Sequence, residues 1–375
     1  MPLNALDSQF MARTLRLAER GRYTTMPNPR VGCVLVKDDQ VLAEGWHQYA
    51  GGPHAEVEAL ALAGSEAPGA TTYVSLEPCS HTGRTGPCSQ ALIRAGIGRL
   101  VYAMEDPNPS VSGRGLEQLR SAGIQVDGPL MEEEARALNP GFIKRMSQGR
   151  PWVRCKLAMS LDGRTAMASG ESKWVTGRRA REDVQRLRAR SCAIISGVDT
   201  VLTDRAALTV RAEELKLDPD WGEAEAIARR QPLRVILDSR GRLTPDAPLL
   251  SHPGPILVVH SGSAPQRDWP ESVSQLVLPD RQGRIDLRAL LDELGRRQCN
   301  EVLVESGARL AGAFLGQGLL DEVQIYMAPK LLGSSARPLF ELPLDTMAAQ
   351  LPLKIHEIRA LGQDWRITAS PDPEG

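Results

Sequence analysis

The sequence has no long hydrophobic run: nothing in it approaches the roughly 20 consecutive apolar residues of a membrane-spanning helix. An excess of charge is also missing. The 45 Lys and Arg against 46 Asp and Glu leave a net charge of −1, which removes the broad electrostatic attraction that nucleic-acid binding draws on. Cysteine is sparse. Six in 375 residues cannot build a disulfide scaffold, so a clustered pair such as Cys79 and Cys88 points instead to metal binding or chemistry. No segment recurs at a fixed period, which excludes a repeat array. No G-x-G-x-x-G follows a strand, which argues against the Rossmann way of holding a dinucleotide. The first residues, "MPLNALDSQFMARTLRLAERG", lack both the apolar core of a signal peptide and the acid-poor make-up of a transit peptide. The expected location is cytoplasmic, with neither nucleic acid nor membrane as partner.

What is present is the composition of a soluble globular chain, 42% apolar and 24% charged, long enough for two domains with separate cores. "VGCVLVKDDQVLAEGW" reads as a hairpin turning at Lys37 to Gln40. "AEVEALALAG" reads as a helix stopping at Gly64, and "TTYVSLEPC" as a strand running into a loop. "PCSQALIRAG" is a helix with Pro87 in its first turn, and "RLVYAMED" a further strand. This alternation predicts a three-layer α/β domain. The character changes in the polar, Gly- and Pro-containing stretch Ser147 to Pro151, which places the domains at 1–147 and 148–375. Beyond it, "CAIISGV", "LRVILDS", "ILVVHS", "EVLVESG" and "EVQIYMAP" are strands, and "RAREDVQRLRAR" and "DLRALLDELGRR" are helices. "LKIHEIRALGQDWRITAS" is a closing hairpin, so the second domain is α/β as well.

Chemistry concentrates in "GGPHAEVEAL" and "LEPCSHTGRTGPC". A hydrolytic zinc site needs three protein ligands and one open position for water. His54, Cys79 and Cys88 supply three such ligands. Cys88 follows Pro87 at a helix start, where free N–H groups favour a thiolate. Glu56 lies close to the histidine without having to bind metal, and suits the base that takes a proton from the water and returns it to a leaving amine. Residues two apart do not share a helix face, but a first turn pointing end-on at the metal brings both within reach, and Pro53 is well suited to start that turn. Singly, each residue has a plain structural role: Glu56 on the helix dipole, His54 in a turn, the cysteines as small core residues. Together they form the H-x-E…P-C…C pattern of zinc deaminases.

That segment resembles the cytidine and deoxycytidylate deaminase superfamily. Its usual spacing is C-x-x-C, whereas here eight residues, "SHTGRTGP", separate Cys79 from Cys88. With "PNPRVGCVLV" and "GWHQYAGGPHAE" upstream, the long loop resembles the pyrimidine deaminase half of the bifunctional riboflavin-biosynthesis deaminase/reductases. The resemblance continues through "DPNPSVSGRG", "KLAMSLDGRTAMASGESKWVT" and "TVLTDRAALTVR" to "VESGARLAGAFL" and "APKLLG". It implies an N-terminal cytidine-deaminase-like α/β/α domain and a C-terminal dihydrofolate-reductase-like α/β domain, using Zn2+ and NADPH. The implied substrate is a small phosphoribosylated pyrimidine, first hydrolytically deaminated, then reduced from ribosyl to ribityl. A homo-oligomer, dimer or higher, is also implied.

Residue roles follow from the same resemblance. Glu56 would shuttle the proton. Asn28, which from the residues alone is equally a turn asparagine, would bond the pyrimidine edge. His47 and Arg84 would contact phosphate or ribose, while His81 and Cys33 stay structural. In the second domain, Gly307, Ala308, Arg309, Leu310, Ala311, Gly312 and Ala313 would touch NADP at a strand-to-helix turn, with Glu305 beside the substrate. Ala158 and Trp174 would lie near NADP and Ser172 near substrate. Arg188, Leu208 and Arg211 would surround the ribose phosphate, where a planar guanidinium suits phosphate oxygens. Thr200 and Asp204 would lie on the cofactor side, Asp204 as catalytic. Here the chain departs from the family pattern of a second aspartate and a proline: it has Arg205 and Ala206, which changes local charge by about two units at neutral pH and removes a fixed turn residue.

Other classes account for less. A single-activity nucleotide or tRNA deaminase leaves the second half unexplained, and tRNA would call for a basic surface. A reductase with a structural zinc domain would need a fourth protein ligand, for which only His81 is available. A non-enzymatic binding protein leaves Glu56 beside His54 without a purpose.

Overall fold

The computed structural model describes residues 3–80, 86–109, 112–263 and 265–372. Contacts divide the chain into two compact units, one of Met1–Arg150 with Asp218–Gly222, the other of Pro151–Leu217 with Glu223–Gly375. No helix among the described residues is long and apolar enough to cross a membrane.

The first unit runs α1 (Ala5–Glu19), β1 (Gly32–Lys37), β2 (Gln40–Trp46), α2 (Ala55–Ala63), β3 (Thr71–Val74), α3 (Cys88–Arg94), β4 (Arg99–Tyr102), α4 (Arg114–Ser121), β5 (Gln125–Asp127), α5 (Glu132–Leu138) and α6 (Pro140–Gln148). Its sheet has the order β2-β1-β3-β4-β5, with β1 antiparallel to β2 and β3, and β3, β4 and β5 parallel. The period-2 alternation of β1 sorts the core into two layers. Val34 and Val36 pack with Met11 and Leu15 of α1 and with Phe142 of α6. Cys33 and Leu35 face the other way, onto Ala55 and Ala59 of α2. The expected hairpin and three-layer arrangement are both present.

The second unit runs β6 (Trp152–Ser160), β7 (Arg164–Ala166), α7 (Arg178–Ala189), β8 (Ala193–Gly197), α8 (Val198–Asp204), α9 (Ala224–Arg229), β9 (Leu233–Leu237), β10 (Ile256–His260), β11 (Val273–Val277), α10 (Leu287–Arg296), β12 (Glu301–Glu305), α11 (Ala308–Gly316), β13 (Glu322–Ala328), β14 (Arg337–Pro338), β15 (Leu353–Leu361) and β16 (Asp364–Pro371). The main sheet has the order β11-β10-β9-β8-β12-β6-β13-β16-β15. All pairings from β11 to β13 are parallel, and the C-terminal hairpin β15/β16 adds on antiparallel. One face is covered by α10 and α11 through Leu290, Leu294, Ala311 and Phe314. The other is covered by α7 and α8 through Val184, Leu187, Val198 and Val201. Both units are thus α/β, as expected. Because the inner strands are parallel, Gly197, Glu305 and Ala158 fall at or near carboxyl ends on one edge of the sheet, the edge at which open α/β sheets bind ligands.

Candidate active sites

In the first unit His54 is the N-cap of α2, in extended conformation, and Glu56 lies in the first helical turn. The helix therefore starts two residues later than Pro53, and the imidazole leaves the chain before the helix begins. That resolves the two-residue spacing. Gly45 allows this placement: a Cβ there would lie 2.3 Å from the Ala55 carbonyl oxygen, so only glycine lets the start of α2 rest on β2.

The ligand atoms of His54, Cys79 and Cys88 lie within 4.8 Å of one another. His54 Nδ1 is 3.2 Å from Cys88 Sγ and 3.6 Å from Cys79 Sγ. Tetrahedral zinc with ordinary Zn–N and Zn–S bonds sets nitrogen and sulfur about 3.6 Å apart. The donor set and its spacing therefore fit zinc, with three protein ligands. The Cys88 N–H, at the start of α3, donates to Cys79 Sγ at 3.3 Å. The helix terminus thus serves Cys79, whereas the sequence pointed to Cys88. The Cys88 thiol also donates toward Cys79, which pulls the Cys79 thiol below its ordinary range. Glu56 is 3% exposed. Burial first, then the charge of Cys79, pushes its carboxyl up to about 7, so it can hold or release a proton near neutrality.

Asn28 and His47 are brought to the same place. His47 Nδ1 lies 2.8 Å from the Pro53 carbonyl, which only an Nδ1–H can satisfy. Nε2 is then an acceptor, and Asn28 Nδ2 donates to it at 3.0 Å. This chain of bonds orients the Asn28 amide. Burial lowers the His47 pKa, in keeping with the neutral ring, which stands edge-on to His54 at 5.5 Å. Arg84 and His81 lie outside the described residues.

In the second unit Arg188 and Glu305 form a two-pronged pair, Nε to Oε1 at 2.6 Å and Nη2 to Oε2 at 2.9 Å. Arg188 also donates to the Thr209 carbonyl at 3.0 Å, which anchors the turn after Leu208. Burial alone would raise the Glu305 pKa, but the Arg188 charge more than offsets it, so Glu305 is a fixed anion. Arg211 is held by Glu214 at 2.8 and 2.7 Å. Leu208 is 2% exposed and packs in the core. Thr200 and Asp204 sit on α8. The Asp204 carbonyl accepts from Lys173 at 2.9 Å, tying α8 to the loop that carries Ser172 and Trp174. Trp174 is exposed, with the Arg181 guanidinium 4.6 Å from its ring centroid. Ala158, half-buried, lines the α7 face. Gly307 caps α11 and is exposed together with Arg309, whereas Ala308, Ala311 and Gly312 are buried and Leu310 and Ala313 half-buried.

The sequence reading did not single out Lys156. It stands opposite Glu305 in the β6–β12 register, where burial lowers its pKa. The available signal was two cations, Arg154 and Lys156, two apart on one face of the otherwise apolar "WVRCKLAMS".

Residues 4–104 match the cytidine and deoxycytidylate deaminase zinc-binding region, and residues 151–367 match the RibD C-terminal domain. The chain is 52% identical to riboflavin biosynthesis protein RibD of Escherichia coli (strain K12), over 96% of this chain and 97% of that one. The solved structure of Acinetobacter baumannii RibD superposes with a TM-score of 0.89 at 47% identity, covering 98% of this chain and 99% of that one. A diaminohydroxyphosphoribosylaminopyrimidine deaminase/5-amino-6-(5-phosphoribosylamino)uracil reductase of Thermotoga maritima superposes at 0.85 with 33% identity, covering 98% and 99%. The His54, Cys79 and Cys88 cluster and these likenesses along the chain agree: the protein belongs to the riboflavin biosynthesis RibD family and is an enzyme with a zinc-binding deaminase domain and a reductase domain.

Proposed function

We propose that the chain deaminates 2,5-diamino-6-(5-phosphoribosylamino)pyrimidin-4(3H)-one to 5-amino-6-(5-phosphoribosylamino)uracil within residues 1–147. Within 148–375 it then reduces the ribosyl group to ribityl with NADPH. The observation that carries the reading is Glu56, buried against the His54, Cys79 and Cys88 triangle. The named activities of the Thermotoga maritima relative support the substrate assignment.

Bound zinc supplies Lewis-acid activation of water in the first step. Glu56 takes one proton from the attacking water and gives it to the ring nitrogen, then takes the second proton from the same oxygen and gives it to the amine, which leaves as ammonia. Asn28 Oδ1, oriented by His47, accepts from the pyrimidine edge, and Arg84 meets phosphate or ribose. NADPH would supply the hydride of the second step; Gly307 and the accessible part of Gly307–Ala313 would hold its phosphates, with Ala158, Trp174 and Thr200 beside it. Arg188, Arg211, Leu208, Ser172 and Glu305 hold the substrate, and Asp204 acts at the reacting end. Lys156 adds a half-buried positive charge next to Glu305. The location is cytoplasmic. The assembly is a homodimer or higher oligomer, supported by the exposed edge strand β15 with Ile355 and Ile358 and by exposed Trp365 on β16.

The test gives purified, zinc-loaded protein the phosphoribosylated diaminopyrimidinone and follows ammonia release and NADPH absorbance together. Ammonia followed by NADPH loss is expected. Ammonia alone would limit the chain to deamination, and no ammonia from zinc-loaded protein would refute the first site.

A further inference from the structure

We infer that Glu77 is a positioning residue for the metal-binding cysteines, acting by fastening α4 onto the strand end that carries Cys79; this rests on the zinc-ligand reading above. Glu77 lies two residues before Cys79 and is 3% exposed. Its carboxylate accepts three backbone N–H groups: Asp106 at 3.2 Å, Gly113 at 2.9 Å and Gly115 at 3.0 Å. Gly113 is the N-cap of α4, so two of these donors belong to the helix end, where N–H groups have no partner within the helix. A carboxylate there satisfies these donors and complements the helix dipole. The approach is close. A Cβ on Gly115 would lie 1.9 Å from the Pro78 carbonyl oxygen, so α4 rests directly on the residue before Cys79.

One turn further along α4, the Gln118 amide lies 2.6 Å from Ser89 Oγ, which lies 3.1 Å from the Cys79 carbonyl oxygen. A hydroxyl has one proton. Ser89 donates it to Gln118 Oε1 at 2.6 Å. The Ser89 N–H reaches the same Cys79 carbonyl at 3.1 Å. Thus α4 holds the backbone of Cys79 from two sides, through Glu77 and through Ser89, and holds Cys88 through its neighbour Ser89. Glu77 is not a ligand and does not touch the reacting atoms. Its effect is to fix the two sulfurs at metal-binding separation before the ion arrives.

Partners of this kind change metal affinity by about 10- to 100-fold. Glu77→Gln keeps the size of the side chain but turns one end into a donor facing N–H groups. In the full-length, zinc-loaded protein it is expected to speed zinc release to a chromophoric chelator by about 10- to 100-fold. The thiolate-to-metal bands of the cobalt-substituted form are expected to shift. Reductase turnover on supplied 5-amino-6-(5-phosphoribosylamino)uracil should be retained, which marks the chain as folded. Folded Glu77→Gln with wild-type release and an unchanged cobalt spectrum overturns the inference. If Glu77→Gln does not fold, Gln118→Ala decides: it is half-exposed, and it should speed release by a smaller factor. Wild-type release from Gln118→Ala would then overturn the inference. A wild-type protein that holds no zinc would overturn the ligand reading first, and this inference with it.

Discussion

Replacing Arg154 by methionine should destabilise the second unit by an amount that depends on pH in a definite way. Arg154 is 1% exposed in β6. Its guanidinium divides between Glu301, 3.1 Å from Nη1, and Glu322, 2.7 Å from Nε and 3.0 Å from Nη2. Burial alone would raise the Glu322 pKa, yet the Arg154 charge holds it down at about 2. Methionine keeps the apolar length and removes the cation. Glu301 keeps Arg190 at 3.0 Å, whereas Glu322 keeps the Gln324 amide at 2.6 Å and the weaker attraction of Arg190. One buried carboxylate is left without its nearest counter-charge, a loss of about 3–5 kcal/mol near neutral pH. At about 2–4 °C per kcal/mol for a unit of this size, its melting transition should fall by about 6–20 °C.

The sign with pH is fixed by linkage. In the wild type the folded pKa of Glu322 lies below its unfolded value near 4.3, so the pair's stabilisation is complete above that value and is lost as pH falls toward 2. In the variant, burial acts without the Arg154 charge, so the folded pKa rises. Falling pH then relieves the penalty by protonating Glu322. The gap between the two proteins should therefore be widest at neutral pH and narrow on acidification toward pH about 4. Differential scanning calorimetry over that range measures it. A neutral-pH difference below about 1 kcal/mol, or a gap that does not narrow with acid, would refute the reasoning.

Glu56→Gln should fold and hold zinc but release ammonia about 10²–10⁴-fold more slowly, as expected for loss of a general acid–base group; an unchanged rate would remove Glu56 from its role. Asp204→Asn should abolish NADPH oxidation and leave deamination intact, read in the coupled assay. If both activities fall together, the assignment of one activity to each unit is wrong. Ala206→Pro restores a residue of the family pattern, yet it should weaken the cofactor site. Arg205 has φ +51° and ψ +42° at the end of α8, and proline disfavours that helical region in the residue before it. A strain of about 1–2 kcal/mol corresponds to roughly a 5- to 30-fold rise in the NADPH KM. An unchanged or lower KM would mean that this loop does not shape the cofactor site.

Where function depends on residues near in sequence or on periodic patterns, the chain was legible. The alternation of Cys33 and Leu35 with Val34 and Val36 announces a strand covered on both faces, and the structure packs the two sets into separate layers. His54, Glu56, Cys79 and Cys88 were readable because hydrolytic zinc chemistry restricts both residue types and their order. Pairings across long stretches of chain were not readable. Arg188 and Glu305 are 117 residues apart, and nothing local to either says that they form a pair. The His47 tautomer depends on the Pro53 carbonyl, and the work of Glu77 depends on N–H groups brought by a helix that starts 37 residues later. A backbone donor carries no signature in sequence, so a residue whose task is to collect such donors is silent until the fold is known.

The two sites also show why residue type alone does not assign a role. Glu56 and Glu305 are both buried glutamates beside a strand or helix end, 3% and 7% exposed. At Glu56, burial and the neighbouring Cys79 charge raise the pKa to about 7, so the carboxyl gains and loses a proton at little cost. At Glu305, burial acts in the same direction, but a bidentate guanidinium overrides it and the charge is permanent. On the proposed function, the first would carry protons and the second would orient an arginine toward the substrate. Deamination needs a carboxyl that changes state in each turnover. Holding a sugar phosphate in line with a hydride donor would need one that does not, and the environments that separate the two glutamates are built from Cys79 in one unit and Arg188 in the other.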